Sequence, residues 1–136
     1  MPHLQFPVTS YIVISVAALS FVLARMAWDR RTSPGAVYVM LVLIGCGIWS
    51  LSYGVEQILV DLNWKLAAGR FTYIGILLVP TSWFSFGIRY AGKGFWLNTK
   101  RAAWLLIKPL LAMLSLLTNP LHSLFYTSTK IETVGN

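Results

Sequence analysis

From Ala36 to Val60 the chain runs for 25 residues with a single charged side chain, Glu56, and from about Leu66 to Ile88 it runs again with one, Arg70. Each run is long enough to cross a hydrocarbon core of roughly 30 Å as a helix with some tilt. Two further apolar runs, Leu4 to Ala24 and Ala102 to Leu117, flank them; the last is the weakest, being short and holding Lys108-Pro109. Composition supports a bilayer as solvent: only 11% of the residues are charged, against about 25% in an ordinary soluble domain. The expected fold is all-α, a polytopic membrane protein with a bundle of four transmembrane helices at about 4–24, 36–60, 66–88 and 102–117, in one domain covering 1–136.

Charge sets the expected topology. The net charge is +7, but the cations do not form a stripe for nucleic acid, and no nucleic-acid partner is expected. Arg25, Arg30 and Arg31 fall in one short loop, and Arg89, Lys93, Lys100 and Arg101 in another. That is the positive-inside pattern, which places the N-terminus outside a cell membrane crossed several times. The first run has its cations after it, the reverse of a secretory signal peptide, so it reads as a retained helix. Trp64 at one side and Trp83, Tyr90 and Trp96 at the other suit interfacial belts, and anionic lipid headgroups are a secondary use for the basic loops.

No catalytic set is present. His3 and His122 have no Cys, Asp or Glu at ligand spacing, lone Cys46 reads as a packing residue, and Ala91-Gly92-Lys93-Gly94 lacks Walker spacing. No metal, cofactor or enzymatic activity is expected of the chain. What remains is the hairpin around Asp61, Leu62 and Asn63. Glu56 lies seven residues before Asn63 and Arg70 seven after it, so the two charges fall at one depth and are candidate partners. A lone charge in hydrocarbon costs several kcal/mol or more, which opposite charge or water relieves. Tyr53 and Tyr73, each three residues away on the same helix face, complete a polar cluster. Three readings stay open: a structural ion pair fixing hairpin register, the floor of an outward-facing ligand pocket, and a proton or cation path. Gly45, Gly47, Ser50, Ser52 and Gly54 suit close helix approach in the second run, and Pro80 should kink the third.

The residues Trp49-Ser-Leu-Ser-Tyr53-Gly-Val-Glu56, Arg70-Phe-Thr-Tyr73-Ile-Gly75, Leu78-Val-Pro80, Trp83-Phe-Ser-Phe86, Arg89-Tyr90 and Thr118-Asn119-Pro120-Leu-His122-Ser-Leu-Phe125-Tyr126 together resemble the N-terminal seven-helix membrane region of sensor histidine kinases. The resemblance covers roughly Gly45 to Tyr126. It implies a sensory input module of a two-component system, with a cytoplasmic kinase core after the last helix and a homodimer in the full-length protein. It also implies that Glu56, Arg70 and His122 belong to the motif and serve an unidentified small-molecule ligand or a membrane state. Four helices stand where the family has about seven, with no phospho-accepting histidine box or ATP lid, so truncation before a fifth helix is expected. The alternative from another class is a small four-helix proton-coupled transporter acting as a homodimer through Glu56. Arg70 weighs against it, since a nearby cation lowers a carboxylate's pKa and spoils proton exchange near neutral pH.

Overall fold

The computed structural model describes residues 5–96 and 99–119. They form α1 (Val8–Asp29), α2 (Ala36–Ile58), α3 (Leu62–Tyr90) and α4 (Thr99–Leu117), with a 3₁₀ turn at Gly94–Trp96. The fold is all-α, and α1, α2 and α3 are each long and apolar enough to cross a membrane. The strongly apolar part of α4 is shorter, Ile107–Leu117.

Helix ends depart from the ends of the apolar runs because hydrogen bonds, not hydropathy, set them. The first helix continues past Ala24 to Asp29, where Arg25 Nη1 meets Asp29 Oδ1 at 2.8 Å one turn on and Arg31 lies 5.0 Å over the Trp28 ring. The charged residues mark the edge of the apolar segment, not of the helix. Similarly α3 starts at Leu62 instead of Leu66, because Asp61 stands at its N-cap and accepts a bond from the Asn63 N–H at 2.9 Å. Removing that acceptor in Asp61→Ala is expected to cost about 1 kcal/mol, read as a lower unfolding midpoint in detergent. An unchanged midpoint would show that water serves the cap equally well.

The packing is a row with α2 in the middle, α1 against one of its faces and α3 against another, while α4 makes slight contact with α3. The seams are built of small residues at heptad-like spacing. On α1 the buried positions are Ser10, Ala17, Ser20 and Ala24, and on α3 they are Ala68, Thr72, Gly75, Ser82 and Ser85. Between them α2 contributes Gly47 and Gly54 toward α1 and Gly45 toward α3. The Phe21 ring lies over Gly47 and Ile14 over Gly54, filling the space a side chain would take. At Gly75 the approach is backbone to backbone: a Cβ there would stand 2.5 Å from the Gly45 carbonyl oxygen and 2.6 Å from the Trp49 nitrogen.

Large apolar side chains such as Ile12, Leu19, Phe71 and Trp83 point outward. Small residues inside and large apolar ones outside is the arrangement lipid favours, since burying Leu against Leu gains nothing over lipid tails. The seam hydroxyls stay within their own helices. Ser20 donates to the Val16 carbonyl at 2.8 Å and Ser85 to that of Thr81 at 2.9 Å, so none is left unsatisfied among the described residues. Pro80 lies on the exposed side of α3 and cannot donate to the Ile76 carbonyl, while the Thr81 hydroxyl supplies the neighbouring Leu77 carbonyl with a donor at 2.8 Å.

Candidate polar site at the α2–α3 turn

Two hydrogen bonds tie the start of the chain to the end of α2. The Gln5 N–H donates to the Ile58 carbonyl at 2.9 Å, and the Thr9 hydroxyl donates to Gln57 Oε1 at 2.6 Å. They fix α1 beside the last turn of α2, where Glu56 and Gln57 point in different directions about 100° apart around the helix. Gln57 bonds to α1, and Glu56 reaches α3.

On α3 the residue facing Glu56 is Gly69, where an added Cβ would stand 3.8 Å from Glu56 Oε2. Lys65, one turn earlier on α3, is the cation whose charge bears on the Glu56 carboxylate. Glu56 and Lys65 are both half-buried. This differs from the expected partnership. Arg70 is exposed and makes no ion pair with Glu56; among the described residues the ion pair is Arg25 with Asp29. The depth inferred from the turn holds to within one residue, since Gly69 adjoins Arg70. Rotation decides the partner: the Gly69 side of α3 faces α2, and the next residue turns about 100° away.

Tyr53 is 46% exposed, so it lines the outside of the hairpin, whereas Tyr73 is half-buried. His122 lies outside the described residues. The sequence reading missed Lys65, which stands just before the apolar run, and missed the Thr9 to Gln57 bond. Lys65 carried a signal: it stands four residues before Gly69, on the face where a missing side chain lets another helix approach. This end of the helix row therefore carries two polar contacts on different faces of α2, Gln57 with Thr9 on α1 and Glu56 toward α3.

At the opposite end of the same hairpin, Gly35 at φ +88° precedes α2 and the Phe86 ring of α3 covers it, with Cε2 2.9 Å from where a Cβ would stand. Phe86 also packs with Trp83 at 5.7 Å and with Tyr90 at 5.6 Å between centroids. An aromatic ladder on α3 is therefore seated on the loop between α1 and α2. The ladder and the Gly69 contact with Glu56 lie on the one helix α3.

A family model described as the N-terminal 7TM region of histidine kinase matches residues 12–136. No curated protein and no solved structure matches the chain.

Proposed function

Because the chain belongs to the family of N-terminal 7TM regions of histidine kinases, we propose that it detects a small molecule or a state of the bilayer at the Asp61 end, and passes a helix displacement to a cytoplasmic kinase. The family match over residues 12–136 is the observation that carries this reading. In it the Asp61 end faces outside the cell membrane, the basic loops face the cytoplasm, α4 is a fourth crossing, and the full-length protein works as a homodimer. Glu56 is the coupling residue, held against α3 at Gly69. Arg70, Tyr53, Tyr73 and His122 are proposed as further contacts for the stimulus, and Pro80 as the bend through which α3 yields. The route inward is α3, from Gly69 to the Phe86 ring seated on Gly35.

Membranes carrying the gene in its native context supply the test. With labelled ATP, the phosphorylated histidine of the kinase is expected to respond to growth conditions in the wild type and to be fixed at one level in Glu56→Gln. A Glu56→Gln protein that follows every condition as the wild type does would overturn the assignment of coupling to this residue.

A further inference from the structure

The basic turn after α3 does more than mark topology. Ala91-Gly92-Lys93-Gly94 has no nucleotide-binding spacing, and the structure shows what it builds instead. Gly92 takes φ +73°, its N–H bonds to the Arg89 carbonyl at 3.2 Å, and the Lys93 N–H bonds to the Ile88 carbonyl at 3.2 Å. That is a Schellman close of the helix, which folds Lys93 back beside Ile88. Both then line one open groove of about 400 Å³, together with Trp83, Phe84, Gly87 and Ala91.

The groove is lined by apolar residues and one cation, Lys93. Its floor is open at Gly87, where nothing lies within 4 Å of an added Cβ, so no packing contact requires a glycine there. Trp83 and Phe84 are 61% and 54% exposed at its wall. A second cation, Arg89, lies in the same turn outside that lining, its guanidinium over Gly94, whose missing Cβ would otherwise stand 2.5 Å from Nη1. No acid neutralises either, since the sequence holds no Asp or Glu from Leu62 to Ile131 and the ion pair of the described residues is on α1.

An apolar trough beside exposed aromatic rings, with Lys93 in its lining and Arg89 in the same turn, neither with an acidic partner among the described residues, is complementary to an acyl chain carrying a phosphate. We propose that the groove formed by Trp83, Phe84, Gly87, Ile88 and Lys93 binds an anionic phospholipid, its acyl chain over Gly87 and its phosphate held by Lys93 and Arg89. This site stands on its own geometry and does not depend on the sensory reading.

Native mass spectrometry of the full chain in detergent, titrated with phosphatidylglycerol, phosphatidylcholine of the same chain length, and soluble glycerol phosphate, tests it. Phosphatidylglycerol is expected to bind at least about tenfold more tightly than phosphatidylcholine, with no binding of glycerol phosphate. Lys93→Gln and Arg89→Gln should each weaken phosphatidylglycerol about fivefold, as one basic residue at a lipid surface does. Gly87→Leu, which fills the floor, should remove the tight lipid altogether. Arg30→Gln, on the other basic loop, should leave it in place. Equal binding of the two lipids, an equal loss in Arg30→Gln, or competition by glycerol phosphate would each overturn the proposal. Lys93→Gln alters an exposed side chain, so it reports even if Gly87→Leu does not fold.

Discussion

Gly75→Ala is expected to destabilise the protein by about 3 kcal/mol, the upper end for overpacking, and Gly75→Leu to prevent the α2–α3 hairpin from closing. The cause is local and rigid. The atoms a Cβ would meet at Gly75 are the Gly45 carbonyl oxygen and the Trp49 nitrogen, at 2.5 and 2.6 Å, and both belong to the backbone of α2. A flexible side chain can rotate away; a helix backbone must move whole. Gly87 on the same helix is the internal comparison, because nothing lies within 4 Å of its added Cβ. Gly87→Ala should cost nothing and raise stability by up to about 1 kcal/mol, read as an unchanged or higher unfolding midpoint in detergent. Similar losses at the two positions would mean that the close approach at Gly75 is not the cause, since helix propensity alone favours Ala over Gly.

Reversing the charge at Glu56 is expected to have the next largest effect. In Glu56→Lys two cations meet, the new one and Lys65, both half-buried at the turn end of the hairpin, and the loss should be about 2 kcal/mol. Adding Lys65→Glu restores opposite charges across the α2–α3 contact and should recover at least half of that loss. Adding Arg70→Glu should recover none, because Arg70 is exposed and about 100° away around α3. Both double variants leave the net charge equal, so a general charge effect cannot produce the difference. Recovery by Arg70→Glu alone would mean that α3 is rotated to bring Arg70, not Lys65, against Glu56.

The contrast between Lys65 and Arg70 also shows where the sequence stops being legible. Counting residues from a turn gives depth along two antiparallel helices, and Glu56 does lie opposite the residue next to Arg70. Rotation about the helix axis comes from packing, and here the packing is read from glycines. Gly45, Gly47 and Gly54 were visible in the sequence as a small-residue half of α2, and all three are buried. Which of them faces α1 and which α3 follows from Phe21, Ile14 and Gly75, residues far away in the chain.

The apolar runs made the all-α membrane fold legible, but they marked the edges of the apolar segments and not the helix ends. Arg25 and Asp29 extend α1 as an exposed ion pair one turn apart, a feature that a hydropathy reading treats as a stop. The seating of Phe86 on Gly35 was illegible for a different reason: it joins a loop glycine to an aromatic residue far along the chain, and neither is unusual by itself. The family, by contrast, was readable from short motifs in order, and the matching region extends over residues 12–136.

The central claim is that the polar site around Glu56 and the aromatic ladder at the basic end are mechanically joined through α3. Fluorine NMR of the protein labelled with 5-fluorotryptophan and held in lipid nanodiscs tests it most directly. Trp64 reports the Asp61 end, and Trp83, 5.7 Å from the Phe86 ring, reports the ladder. Neutralising the site in Glu56→Gln should shift both resonances, since a displacement of α3 alters the seating of Phe86 on Gly35 and with it the ring packing around Trp83. A shift confined to Trp64, with Trp83 unmoved, would contradict the account.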